Sequence, residues 1–188
     1  MRKVSAIVPY GTRKYNAGRI ADSLSKIFQE IIFIDDAYLV YSRFIAIQRA
    51  AFDTIYTQDD DVINHDLEKL FNSFSRKPDK IHYAVPEDYL EKIPSKTYKE
   101  SQLALIGWGS MFMRDKTKVL DIYSNRYGVD GLLMREADRA FTLLQCEHHI
   151  PVVSKLEFIP DPVPSPALSA EPEHIEKTNK MIERCLDL

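Results

Sequence analysis

The sequence predicts an α/β fold in which helices cover both faces of a mostly parallel central sheet. Short apolar runs alternate with amphipathic helical patterns through the first half of the chain, which is the pattern of a sheet buried on both faces. Polar residues follow the first three runs directly, where the carboxyl ends of parallel strands meet a ligand. With 188 residues, 45% of them apolar, the chain is long enough for one well-packed domain.

Four apolar runs are predicted to be strands of this sheet. They cover residues 4–8, 31–34, 54–57 and 81–85. Helices are predicted between them, because apolar residues recur at helical spacing over 17–28 and 67–74, with a shorter pattern over 44–51.

The second half of the chain is less regular. We expect, in order, a polar loop over 86–101, strands over 103–106 and 110–113, a helix over 134–145 and a strand over 152–158. Four prolines between residues 160 and 166 predict an extended arm, and a last helix is expected over 172–186.

Composition excludes several classes of protein. A net charge of −3 gives no overall basic footprint for nucleic acid or for an anionic membrane. No run approaches the roughly 20 apolar residues that span a bilayer. Cys146 and Cys185 lie too far apart for a CxxC metal site, and two cysteines do not make a disulfide framework. These features predict a soluble protein of the cytoplasm, or of the host cytoplasm for a viral protein.

The most informative segment is Asp59-Asp60-Asp61, directly after the third predicted strand. Adjacent carboxylates repel one another and raise each other's pKa unless a positive charge compensates them. A divalent cation would do so, and ligands that are all oxygen favour Mg²⁺ or Mn²⁺ over zinc. The alternative is an acidic turn that caps the following helix, a role for which one Asp or Ser is more usual.

Three stretches together resemble the nucleotide-binding half of glycosyltransferases of the A type. They are residues 5–10 (SAIVPY), 30–36 (EIIFIDD) and 56–61 (YTQDDD). The resemblance covers residues 4–65 well and the rest loosely, and it implies the GT-A fold with its Rossmann-like sheet. It also implies that Asp36, with Asp35, contacts the nucleoside. Asp59 and Asp61 take the place of the DxD motif, which holds the ribose and the cation bridging the diphosphate.

Two later segments resemble other motifs of this family. Gly107-Trp108-Gly109-Ser110 is similar to its glycine loop, where Trp108 and Gly109 would approach the sugar; a hairpin bend with a core tryptophan is the alternative reading.

The segment 135–138 is similar to the acidic motif that supplies the catalytic base of inverting members, although Ala137 separates its two acids. On an ideal helix Glu136 and Asp138 lie about 100° to either side of Ala137. One acid is therefore expected to face the site, and Asp138 is favoured over Glu136. A surface ion pair with Arg135 is the alternative role for Asp138, and Asp130 is a further candidate base.

The remaining site residues are also implied by the resemblance. His174 resembles the C-terminal histidine that completes the metal site in many members; a solvated histidine near a helix start is the alternative. Pro9 and Tyr10, at the end of the first strand, are expected beside the nucleotide. Four basic residues could neutralise the negative charge that transfer leaves on the diphosphate, although each could instead be a solvated surface residue: Arg13, Lys14, Arg43 and Arg49.

Together these features predict a metal-dependent glycosyltransferase that uses Mn²⁺ or Mg²⁺ and a nucleoside-diphosphate sugar, with a UDP-sugar favoured. The expected catalytic domain is 1–158, with a nucleotide-binding half at 1–65 and an acceptor half at 80–158. Residues 159–188 are expected to form an arm and a helix packed on that domain.

The acceptor is open between a glycan and a hydroxymethylated DNA base, which lysines of the 86–101 loop could help to hold. Two other functions stay open. One is a sugar-nucleotide nucleotidylyltransferase. Gly11-Thr12-Arg13 resembles the phosphate loop of such enzymes, although no run of glycines precedes it. The other is a noncatalytic α/β module that binds a cation.

Overall fold

A computed structural model of the chain describes residues 2–11, 13–89, 103–145, 149–160 and 172–188. Eight strands are present: β1 (Val4–Pro9), β2 (Glu30–Ile34), β3 (Thr54–Thr57), β4 (Val62–Asn64), β5 (His82–Val85), β6 (Ser110–Met113), β7 (Ile150–Val153) and β8 (Leu156–Phe158). Six of them form the central sheet in the order β2-β1-β3-β6-β5-β7, and β4 pairs with β8 separately.

The central sheet is mixed but mostly parallel. β1 is parallel to β2 and β3, and β5 is parallel to β7, whereas β6 runs antiparallel to both β3 and β5. Because β1, β2 and β3 are parallel neighbours, their carboxyl ends lie together at one edge of the sheet.

Helices cover both faces of this sheet, as predicted. They are α1 (Ala17–Leu24), α2 (Ser42–Ile47), α3 (Leu67–Arg76), α4 (Val119–Tyr127), α5 (Gly131–Leu144) and α6 (His174–Leu186). Short 3₁₀ helices span Lys14–Asn16, Leu39–Tyr41, Ile106–Trp108 and Arg114–Lys118. Side chains alternate along β1, so that Ile7 joins the core under α2, α4, α5 and α6, while Ala6 and Val8 join the core under α1 and α3.

Two of the predicted strands are wrong. Residues 103–105 have no regular structure and Ile106–Trp108 is a 3₁₀ helix; Ala104 and Ile106 are apolar because they pack in the core, and they do not pair in a sheet. The single strand expected over 152–158 is two strands, β7 and β8, which belong to different sheets. Helix α4 and strand β4 had not been predicted.

The C-terminal helix α6 packs against α5. Met181 is fully buried in the core beneath them. Arg184 donates hydrogen bonds to Asp130 (2.6 Å) and to the hydroxyl of Tyr123 (2.8 Å). Asp130 also caps α5 by accepting from the backbone N–H of Leu133 (2.9 Å).

Parts of three sequence predictions lie outside the described residues. They are most of the lysine-bearing loop, most of the proline arm, and Cys146. Among the helices that the structure describes, none is long and apolar enough to cross a membrane.

Candidate functional site

The loops after β1, β2 and β3 meet at one edge of the sheet. Arg13, after β1, bonds the carboxylate of Asp61, and its Nη1 lies 3.3 Å from Oδ1 of Asp60. Lys14 Nζ lies 3.7 Å from Oδ2 of Asp35, which follows β2. Gly11 lies so close to Asp36 that a Cβ on the glycine would collide with that carboxylate. The predicted shared edge is confirmed.

Within the acidic triplet, the middle residue is buried and the outer two face solvent. The side chains of Asp59 and Asp61 are 40% and 37% exposed, against 10% for Asp60. Burial raises the pKa of Asp60 to about 6, helped by the neighbouring charges of Asp61 and Asp59 and opposed by Arg13. Burial and the charge of Asp59 also raise the pKa of Asp61. Burial therefore makes Asp60 and Asp61 costly to ionise unless a positive charge lies beside them.

Arg43, near the start of α2, is buried between two carboxylates that are distant in sequence. Its Nη2 donates to Oδ1 of Asp59 at 2.5 Å, and its Nε lies 3.4 Å from Oδ1 of Asp138 on α5. Its side chain is only 3% exposed. In the part of the chain that the structure describes, Nε and Nη1 have no hydrogen-bond partner, so this cation is held by charge more than by hydrogen bonds.

Asp138 is the acid of the 135–138 segment that faces the triplet. Its side chain is 25% exposed, and burial raises its pKa to about 7, with Arg43 opposing the rise and Asp59 and Glu136 adding to it. A carboxyl group with a pKa near 7 changes between acid and base at neutral pH.

Glu136 faces α6. The backbone of α5 leaves helical geometry at this residue (φ −111°, ψ 20°). Its Oε2 accepts from Arg139 Nη1 at 2.9 Å, and its Oε1 lies 3.7 Å from Nδ1 of His174, the first residue of α6. Over the described ranges, no group of three or more His, Cys, Asp or Glu side chains is arranged to hold a metal ion. The roles of Glu136 and His174 therefore stay predictions.

A cavity of about 210 Å³ lies between the triplet and α5. Asp59, Asp138, Arg139 and residues 103–108 line it. Gly107 lies against Asp59: a Cβ there would collide with the carboxylate, and its carbonyl accepts from the Asp59 backbone N–H at 2.7 Å. The glycine loop thus allows the backbone to approach the first acid of the triplet.

No protein-family model and no curated protein matches this chain, but solved structures do. Glucosyl-3-phosphoglycerate synthase from Mycobacterium tuberculosis, in complex with Mg²⁺ and UDP, matches with a TM-score of 0.58 and 11% identity over 98% of this chain and 79% of its own. TarS of S. aureus matches with a TM-score of 0.59 and 15% identity over 98% of this chain and 43% of its own. TarS 1–349 in complex with UDP-GlcNAc gives 0.50 and 13% over 99% and 73%. This chain has the GT-A fold.

Other residues predicted to contact the nucleotide lie at the carboxyl ends of β1 and β2. Pro9 ends β1 opposite Ile34 of β2, and the Tyr10 backbone N–H donates to the Ile34 carbonyl at 2.9 Å. Asp35 and Asp36 are exposed beyond the end of β2.

Arg49 does not join this edge of the GT-A sheet. It is exposed in the turn between α2 and β3, near the amino end of β3, whereas the triplet follows the carboxyl end. Arg43, on α2, is the basic residue of this segment that reaches the site. The sequence does contain a signal for the burial of Arg43, because Ala46, Ile47 and Ala50 follow it at helical spacing and put it on an apolar face. Those three residues are buried.

Proposed function

We propose that this chain is a metal-dependent glycosyltransferase that moves a sugar from a nucleoside-diphosphate sugar to an acceptor hydroxyl. The observation that carries the proposal is the bridge of Arg43 between Asp59 of the triplet and Asp138. It brings a candidate cation site and a candidate base to one cavity, which is what sugar transfer from a diphosphate needs.

The donor lies, in this proposal, across the carboxyl ends of β1, β2 and β3. Asp36, with Asp35 beside it, contacts the nucleoside, and Pro9 and Tyr10 flank it. Arg13 is placed to turn from the triplet to the diphosphate, since it is the cation in contact with Asp60 and Asp61. The complexes of the structural neighbours with UDP and with UDP-GlcNAc support a UDP-sugar as the donor.

Asp59 and Asp61 are the proposed metal ligands, because they are the two exposed carboxylates of the triplet. Mg²⁺ is usually held by one or two carboxylates, with substrate phosphates and water completing its shell, and the triplet fits that pattern. His174 is a proposed further ligand. Mn²⁺ or Mg²⁺ would stabilise the charge of the departing diphosphate, and neighbouring structures that contain these ions support the choice.

Asp138 is the proposed base, with Glu136 as the second candidate. In the reaction the acceptor oxygen bonds to the anomeric carbon, the bond from that carbon to the diphosphate oxygen breaks, and Asp138 takes the hydroxyl proton. The sugar would lie in the cavity between Asp59 and Asp138, against Trp108 and Gly109 of the glycine loop. A base with a pKa near the working pH is well suited to this transfer.

The proposal is tested by release of nucleoside diphosphate from UDP-, GDP-, CDP- and dTDP-sugars, with Mn²⁺, with Mg²⁺ and with a chelator. We expect release from a UDP-sugar that requires the metal. Asp61→Ala is expected to slow it by roughly a hundredfold or more, as when one group that stabilises transition-state charge is removed. Asp22→Ala, an exposed carboxylate on α1, is the matched control and is expected to retain full activity.

Other outcomes would identify the alternatives. Pyrophosphate release from a nucleoside triphosphate and a sugar phosphate would identify a nucleotidylyltransferase. Metal-dependent nucleotide binding without turnover of any donor would identify a binding module. Either result would contradict a glycosyltransferase.

A further inference from the structure

Two buried side-chain amides bond the backbone of the acidic triplet. Asn16 Nδ2 donates to the carbonyl of Asp60 at 2.8 Å. Gln58 Nε2 donates to the carbonyl of Val62, the residue after the triplet, at 2.5 Å, and more weakly to that of Asp59 at 3.4 Å. Asn16 is 3% exposed and Gln58 is fully buried. The backbone of this turn is therefore held from inside the protein.

Asn16 directly precedes helix α1 and yet does not cap it. An asparagine at this position usually accepts a hydrogen bond from a backbone N–H of the first helical turn, which stabilises the helix. The Asn16 side chain makes no such bond and instead reaches the carbonyl of Asp60, 44 residues later in the chain. A side chain that could stabilise α1 thus stabilises the triplet.

Gln58 uses both ends of its amide at a fully buried position. Its Oε1 accepts from the hydroxyl of Tyr56 at 2.7 Å, while its Nε2 makes the bonds to the turn. Rotation of the amide would leave buried donors and acceptors without partners, which is costly in the interior of a protein. This network therefore favours one conformation of the turn.

The two amides differ from Arg13 and Arg43 in the atoms that they contact. Arg13 bonds the carboxylate of Asp61, and Arg43 bonds that of Asp59. A cation on these carboxylates would repel the arginines and compete with them for the same oxygens. The amides bond backbone carbonyls and carry no charge, so they can stay in place when a cation binds.

We propose that Asn16 and Gln58 are positioning residues, which orient Asp59 and Asp61 for a divalent cation without touching it. The turn that they hold buries Asp60 and leaves the two outer carboxylates exposed. Hydrogen-bonding groups behind the ligands of a metal fix the orientation of those ligands, and their loss weakens metal binding by about 10- to 100-fold. This inference rests on the proposed function, because it concerns the cation site of that reaction.

Mn²⁺ binding tests the inference without any turnover. The protein is titrated with Mn²⁺ in the presence of UDP, and free Mn²⁺ is measured by electron paramagnetic resonance. Asn16→Ala is expected to weaken Mn²⁺ binding roughly tenfold or more. Asn64→Ala is the matched control, because it removes a buried amide that accepts from the Asp66 backbone N–H at the end of β4 away from the triplet. This control is expected to lose stability and to keep the wild-type affinity for Mn²⁺.

Gln58→Met and Tyr56→Phe form a second pair, which decides the question if Asn16→Ala does not fold. Gln58→Met keeps the length of the side chain and removes its bonds to the turn, so Mn²⁺ binding should weaken by a similar factor. Tyr56→Phe removes the hydroxyl that bonds Gln58 but leaves the bonds from Gln58 to the turn. It should therefore weaken Mn²⁺ binding less than Gln58→Met does.

Donor hydrolysis separates a positioning role from damage to the base. In Asn16→Ala the Mn²⁺ concentration that gives half of the maximal rate is expected to rise by the same factor as the dissociation constant. The rate at saturating Mn²⁺ is expected to stay close to that of the wild type, because Asn16 bonds the triplet, whereas Asp138 is held by Arg43.

The inference is overturned if folded Asn16→Ala or folded Gln58→Met binds Mn²⁺ as tightly as the wild type. It is also overturned if Asn64→Ala weakens the binding as much as Asn16→Ala does. A wild-type protein that binds Mn²⁺ with UDP and hydrolyses no donor would contradict the proposed function and leave the positioning role intact. A wild-type protein that does not bind Mn²⁺ would contradict both.

Discussion

The guanidinium of Arg43 donates to Asp59 at 2.5 Å and lies 3.4 Å from Asp138 on the opposite wall of the cavity. One buried cation thus touches the first acid of the triplet and the acid that is proposed as the base. The protonation states of the two carboxylates are therefore coupled electrostatically, because both lie within a few ångströms of Arg43.

Removing the charge of Arg43 is expected to destabilise the fold. Arg43→Met leaves Asp59 and Asp138 without their shared cation, and breaking a buried pair on one side costs roughly 3 kcal/mol. The free energy of unfolding, measured in urea, checks this. Arg126→Met, an exposed arginine on α4, is the control and is expected to change it by less than about 0.5 kcal/mol. Equal stabilities of the two variants would contradict the buried role.

In the absence of metal, the titration of Asp138 is expected to lower the free energy of unfolding as the pH rises from about 4 to about 7, whereas the lowered pKa of His82 acts in the opposite direction. The pKa of Asp138 is about 7 in the folded chain against an ordinary 3.8, so the folded state binds the proton more tightly over that window. Asp60, with a pKa of about 6, adds a contribution of the same sign. Each group contributes at most about 1.4 kcal/mol per pH unit.

Asp138→Asn isolates this effect. Urea unfolding at several pH values is expected to give a flatter pH dependence for the variant than for the wild type. An identical dependence in the variant would show that Asp138 titrates at its ordinary pKa, and a steeper fall would show that folding lowers that pKa.

Asp138→Asn is also expected to separate donor binding from transfer. The amide cannot accept the hydroxyl proton, so kcat should fall roughly 10²-fold or more, while the affinity for UDP with Mn²⁺ stays the same. In the wild type, kcat/KM should fall on the acid side of about pH 7 as Asp138 is protonated. An active Asp138→Asn variant with the wild-type pH profile would leave Glu136 as the base.

The approach of Gly107 to Asp59 is expected to matter for nucleotide binding. In Gly107→Ala the new Cβ would occupy the space of the Asp59 carboxylate, so that carboxylate must move. UDP affinity in the presence of Mn²⁺ should fall roughly tenfold, measured by calorimetry. Gly18→Ala, where the Cβ meets open space on α1, should retain full affinity and gain about 0.5–1 kcal/mol of stability.

The strands around the acidic triplet are predictable from the sequence because their signals are local. The strands 54–57 and 110–113 were predicted with their observed bounds, and the acids after β2 and β3 do meet the loop after β1. Each of these inferences depends on an apolar run and the polar residues next to it, which the chain displays directly.

The errors arose where long-range packing decides the structure. Ala104 and Ile106 are apolar because they pack in the core beneath α5, and the spacing of apolar residues alone does not distinguish such a segment from a strand. The sequence contains 25 lysines and arginines. It does not distinguish Arg43 from Arg49 as the residue that reaches the site, because the direction of α2 decides this.

The central claim is that the acidic triplet binds a nucleoside diphosphate through a divalent cation. Calorimetric titration of UDP into the protein, with Mn²⁺ and with a chelator, tests it most directly, using Asp61→Ala and Asp22→Ala as paired variants. We expect UDP to bind only with Mn²⁺, Asp61→Ala to abolish this binding and Asp22→Ala to retain it. UDP binding that is independent of Mn²⁺, or that Asp61→Ala leaves unchanged, would contradict the account.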